Sequence, residues 1–115
     1  MSTSISAVIE PLLKRQLFHT EQEAVRELLR EYLWRQISEL QRKNEQFSHQ
    51  YGMAFSQFGE YLHARSVLLQ SEELSLEQRQ LLGRAVMQEE DDWLDWKVAI
   101  EMLENWLGIR QEVFS

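Results

Sequence analysis

Along most of this chain apolar residues recur at intervals of three and four, the spacing that lines one face of an α-helix, and few glycines or prolines interrupt it. The pattern predicts an all-α or nearly all-α fold. The start differs: Ile5, Ala7 and Ile9 alternate with Ser4, Ser6 and Val8, as in a short β-strand, with a helical start as the competing reading. Pro11 suits the first position of a helix, where its missing N–H costs nothing, so a short helix is expected over residues 11–17. It should end near Phe18 and His19.

Thr20 and Glu23 form a capping box that opens a long amphipathic helix with the stripe Val25, Leu28, Leu29, Tyr32, Leu33, Ile37 and Leu40. Beyond Leu40, residues 41–46 are polar on every side. The helix is therefore expected to project as a connector until Gly52 stops it, which divides a module of residues 1–50 from a helical region of residues 51–115. Ser56 is expected to cap the next helix, running to about Leu69, with Phe58, Tyr61, Leu62 and Leu68 available for burial. Ser71 to Leu74 reads as a turn. Ser75 and Gln78 then make a second capping box, opening a helix that carries Leu76, Leu81, Leu82, Val86 and Met87. From Trp93 onward, Trp96, Ile100, Leu103 and Leu107 follow at alternating steps of three and four, a seam suited to a partner helix, with Gly108 expected as its C-terminal cap.

Charge changes this picture. Residues 1–50 carry seven Lys or Arg against seven Asp or Glu, whereas residues 51–115 carry five against twelve, so the net charge of −7 belongs to the second part. An acidic half repels phosphate and attracts basic protein surfaces. Cysteine is absent, which excludes disulfides and thiol catalysis and fits a reducing cytoplasm. The first nine residues are too polar for a signal peptide, and no apolar run approaches the roughly 20 residues of a membrane span. A cytoplasmic protein with no membrane partner is expected.

The densest chemistry lies at Glu89, Glu90, Asp91, Asp92, Trp93, Leu94, Asp95 and Trp96, with five carboxylates and two indoles in eight residues. Acids ahead of a helix can gain from its dipole, and tryptophans at helical spacing often serve a core. Five carboxylates cannot all gain from one helix end, however, and they repel one another unless neutralised, so the segment suits a basic partner. Indoles supply the kind of anchor that dominates interface energetics. Glu89, Glu90, Asp91, Asp92, Trp93, Asp95, Trp96 and Trp106 are the expected partner-binding residues.

Glu89 and Asp92 also form an E-x-x-D pair similar to half of the magnesium site of all-helical nucleotide pyrophosphohydrolases. The other half is missing, because Glu72 and Glu73 lie adjacent in a turn and the E-x-x-E pair Glu101 and Glu104 comes later. His19, His49 and His63 lie far apart in different elements, and neither H-E-x-x-H nor cysteine is present to start a zinc site. No enzyme activity, cofactor, metal or small-molecule substrate is expected.

Two segments resemble known families. The expected strand, short helix and long helix, with residues 23–33 (EAVRELLREYL), are similar to a ribbon-helix-helix module, in which paired strands enter the DNA major groove. Thr3, Ser4, Ser6, Lys14, Arg15, Thr20 and Arg26 would then be the DNA-facing residues. The strand has no Arg, Lys, Asn or Gln to reach base edges, so Lys14, Arg15, Arg26 and Arg30 would hold the backbone. Residues 51–58 (YGMAFSQF), followed by Glu90 to Trp96, resemble a group of small bacterial type II antitoxins. That resemblance implies an N-terminal module that dimerises and can bind its own operator, and C-terminal helices that neutralise a basic, RNA-directed toxin. The expected function is therefore a homodimeric antitoxin with operator DNA as a further partner. A helical adaptor without a toxin partner is the alternative, and a magnesium-dependent pyrophosphohydrolase comes third.

Overall fold

The computed structural model describes residues 4–114 and is all-α, with no strand among the described residues. Helix α1 spans Ile5–Lys14, α2 Glu21–Tyr51, α3 Phe55–Leu69 and α4 Leu76–Phe114.

The alternating start is helical, because Ser4 is an N-cap whose Oγ accepts from the Ala7 N–H at 3.2 Å. Ile9, Leu12 and Leu13 then share one face, with Ile9 buried. Pro11 accordingly lies inside α1 rather than at its first position. Its ring and the Ala7 carbonyl it leaves unbonded sit among exposed residues, where water can take that carbonyl. The helix ends at Lys14, three residues earlier than expected, where Gln16 turns left-handed at φ 59°.

Thr20 caps α2, accepting from the Glu23 N–H at 3.0 Å, but the Glu23 side chain does not return the bond to the Thr20 N–H, so only half of the expected capping box forms; Gly52 ends the helix at φ 65° with its N–H bonded to the Ser48 carbonyl. The cap of α3 is Ala54, not Ser56. Ala54 holds the extended conformation an N-cap needs, and Gln57 Oε1 accepts from its N–H at 3.0 Å, leaving Ser56 in the first turn. Ser75 and Gln78 make both bonds of their capping box, at 3.1 and 3.0 Å. The helix they open continues for 39 residues, so Gly108 caps nothing and lies in its interior. One glycine costs only about 1 kcal/mol in a helix, and α4 still contacts α2 on both sides of it, through Trp106 before and Phe114 after.

Contacts fix the packing. Tyr51 meets Asp92, Asn44 meets Trp96, Tyr32 meets Trp106 and Arg30 lies over Phe114, so α2 runs antiparallel to the second half of α4. Phe55 meets Trp93, Arg65 meets Glu89, and Leu69 faces Gly83, so α3 runs antiparallel to the first half. Helices α2 and α3 thus lie end to end along α4, joined at the Gly52 turn, with α1 packed on the start of α2. The described residues measure 73 × 32 × 20 Å, and the shortest dimension is about two helix diameters.

The core centres on Phe58, Leu62 and Trp96, ringed by Phe47, Tyr51, Met53, Phe55, Tyr61, Trp93 and Ile100. Trp96 is fully buried, stacked on Phe47 at 5.5 Å and edge-on to Phe55. Its Nε1–H donates to Asn44 Oδ1 at 2.7 Å. The polar stretch at 41–46 is therefore no free connector. Asn44 occupies the face toward α4 and is matched by the indole N–H, which satisfies both polar groups. The seam of Trp93, Trp96, Ile100, Leu103 and Leu107 is closed by the chain's own α2 and α3. Of the stripe expected on α2, Leu33 and Ile37 are buried, whereas Val25, Leu28 and Tyr32 remain exposed. No described helix is long and apolar enough to cross a membrane.

Candidate partner-binding face of α4

The acidic segment lies within α4, where 100° per residue sends neighbouring side chains in different directions. It divides into an inward and an outward set. Trp96, expected at the surface, is core. Glu89 pairs with Arg65 at 2.8 Å, and both are largely covered. Asp92 accepts hydrogen bonds from the Tyr51 hydroxyl, from Gln50 at 3.4 Å and from Gln88 at 3.3 Å. Burial, reinforced by the bond to Asp92 and the charges of Asp92 and Glu89, pushes the Tyr51 phenol well above the ordinary tyrosine range. These two carboxylates are therefore committed to the α2–α3–α4 junction. Arg65 Nε and Glu89 Oε2 lack partners there, so the ion pair is only half satisfied. Trp106, half-buried, meets Tyr32 edge-on at 5.7 Å and belongs to the α2–α4 contact.

Glu90, Asp91 and Asp95 face outward, with no cationic partner among the described residues. Between them runs an apolar ridge that the sequence pattern did not single out. Met87, Leu94 and Val98 fall within about 40° of one another on the helix wheel and are 68 %, 53 % and 53 % exposed. Glu90 flanks the ridge on one side, and Asp91 and Asp95 flank it on the other. Their spacing of seven and four was available in the sequence, but the tryptophan seam on the opposite face carried the stronger periodic signal.

On the Glu90 flank, α3 and α4 enclose a groove of about 350 Å³ lined by Gly59, Leu62, His63, Ser66, Glu90, Trp93 and Leu94. Trp93 is its wall, stacked on Phe55 and carrying Lys97 5.3 Å from its ring centre. A Cβ at Gly59 would stand 3.5 Å from Trp93 Nε1, so a side chain larger than methyl would cover the indole edge. With Phe55 and Lys97 already on the Trp93 ring, the groove offers a long basic side chain its indole edge and the Leu62 and Leu94 side chains for methylenes, and Glu90 for the charge.

The DNA-facing set does not assemble. Thr3 lies outside the described residues. Ser4 caps α1, Ser6 donates to Glu21 at 2.8 Å, Lys14 pairs with Glu10 at 3.1 Å, Arg15 donates to the Pro11 carbonyl and Thr20 caps α2. Arg26 lies over the Phe114 ring. With residues 5–9 helical, no strand from them can enter a groove as a ribbon. Among the described residues no three His, Cys, Asp or Glu side chains stand together as a metal site. Compared with protein-family models, curated proteins and solved structures, the chain has no match.

Proposed function

We propose that this chain is a type II antitoxin, a cytoplasmic protein that neutralises a basic protein toxin by stoichiometric binding, with the outer face of α4 from Met87 to Val98 as the binding element. The observation that carries the reading is the acid-flanked apolar ridge. An exposed helix face with apolar anchors at Met87, Leu94 and Val98 suits a groove, and the flanking carboxylates require that groove to have a basic rim. A cleft shaped for RNA phosphate has such a rim. The α3–α4 groove beside Trp93 adds a receptacle for one basic side chain of the toxin.

Self-association as a homodimer is part of the proposal, supported by the apolar surface that two layers of helix leave uncovered, including Val8, Leu17 and Tyr32. Operator binding through a ribbon is not, because the segment it needs is helical.

The test is capture of a tagged copy from its native host. A small basic protein at near-equal stoichiometry is expected, arresting growth when expressed alone and harmless when co-expressed with this chain. Leu94→Lys with Val98→Lys should abolish capture while the circular dichroism stays helical. A captured protein without toxicity would favour a helical adaptor. Capture unchanged by the two lysines would remove α4's outer face from the proposal.

A further inference from the structure

At the far end of the slab, α2 and the last turns of α4 enclose a hollow of about 240 Å³ lined by Arg30, Trp34, Arg110 and Phe114. It adjoins a second hollow of about 450 Å³ that shares Arg110 and Phe114 with it. Three features set this corner apart. Trp34 is 65 % exposed and stacks on no other described ring, although the remaining three tryptophans all pack on aromatic neighbours. Arg26 and Arg30 are held over the Phe114 ring, 5.4 and 4.9 Å from its centre, so their guanidinium planes are already positioned. Arg30 is paired with Glu27 at 2.6 Å, but Arg26 and Arg110 have no carboxylate partner among the described residues. In a chain of net charge −7, these two hollows are lined by Arg30 and Arg110 and, among the described residues, by no carboxylate.

The geometry points to a binding site for a mononucleotide, a planar ring carrying a phosphate. The ring lies on the Trp34 indole, whose face is otherwise spent on water, and the phosphate takes the planar donor forks of Arg110 and Arg30, which line the same hollow. The two adjoining hollows together match the volume of a base with its ribose phosphate. A long nucleic acid is disfavoured, because its further phosphates would meet the acidic remainder of the chain. This site shares no residue with the α4 ridge, so it stands or falls independently of the antitoxin reading.

Adenosine 5′-monophosphate, adenosine and inorganic phosphate are titrated separately into the full chain, following the four indole N–H resonances, with that of Trp34 identified by Trp34→Phe. Saturable binding of the monophosphate is expected, at least about tenfold tighter than either fragment, with the Trp34 resonance moving most. Trp34→Ala and Arg110→Ala, both exposed positions, should each weaken it about tenfold with the helical spectrum retained. Arg110→Lys should recover only part of the loss, since an ammonium lacks the planar fork. Failure to saturate by about 10 mM would overturn the proposal. So would phosphate or adenosine binding as tightly as the monophosphate, or equal affinity in the Trp34 and Arg110 variants.

Discussion

At the scale of single residues, the two neighbouring tryptophans of α4 have opposite roles despite standing three positions apart. Trp96→Ala removes a fully buried indole with four aromatic or amide contacts and should cost about 3–5 kcal/mol, seen as a large fall in the urea midpoint. Trp93→Ala, on a half-buried groove wall, should cost less than half as much and act mainly on partner capture. Equal losses of stability would contradict the division of the acidic segment into inward and outward sets. Tyr51 provides a second check. Its phenol is raised in the folded chain, so the unfolded chain loses its proton first as pH rises. The associated stability is complete below the ordinary tyrosine value of about 10 and is lost as pH climbs toward the higher folded value. Tyr51→Phe forfeits a hydrogen bond to a charged acceptor, worth about 1.5–3 kcal/mol near neutrality. Its deficit relative to the parent should narrow above about pH 10 in denaturation curves. A constant deficit across that range would count against the part-buried Tyr51–Asp92 bond. Neither role could be read from the segment itself. The sequence puts Trp93 and Trp96 on one seam, and only the partners at Asn44, Phe47 and Phe58 show which ring is enclosed.

At the scale of elements, punctuation by capping side chains was legible for α2 and α4 but not for α3, where Ala54 and not Ser56 is the N-cap, and punctuation by glycine was ambiguous. The caps at Thr20 and Ser75 and the stop at Gly52 are all found where the local chemistry predicts them. Each rests on groups within three or four residues of the helix end. Gly108 looks identical to Gly52 in the sequence, yet it continues a helix because α4 still has Phe114 to pack beyond it, under Arg26 and Arg30 of α2. The two glycines should therefore respond in opposite directions to alanine. Gly108→Ala, whose Cβ would meet nothing within 4 Å, should stabilise by about 0.5–1 kcal/mol. Gly52→Ala forces a left-handed backbone at φ 65° and should destabilise by about 1–2 kcal/mol. Thermal melting of the two variants decides, and stabilisation by both would show that the α2–α3 turn relaxes. The start of the chain misled for a related reason: Ile5, Ala7 and Ile9 satisfy a period of two, while Ile5, Ile9, Leu12 and Leu13 satisfy a helix, and the Ser4 cap selects the second.

At the scale of the molecule, the sequence announced helices but not how they lie. The described residues expose 8931 Å², where a compact chain of this mass would expose about 6,600 Å². The radius of gyration is 22.7 Å, against about 13 Å for a compact domain. Periodicity along one strand of sequence cannot distinguish a bundle from a slab, because both bury one stripe per helix. The distinction follows from α4 being long enough to carry α2 and α3 in tandem, so that every helix keeps an outward face.

That tandem arrangement also orders the closing of the chain. Phe58 and Trp96 enclose a shorter loop than Asn44 and Trp96, and the Tyr32–Trp106 and Arg30–Phe114 contacts enclose longer ones still. Each doubling of a loop adds only about 0.6 kcal/mol of closure entropy, but the dense aromatic cluster also lies at the short-loop end. The α3–α4 half should therefore act as the clasp, with α2 laid down against α4 from Tyr51 backward. Hydrogen exchange would record this as a gradient within one uninterrupted helix. Amides of α4 near Trp96 should exchange last and those beyond Trp106 first, whereas uniform protection would mean the slab opens as a single unit.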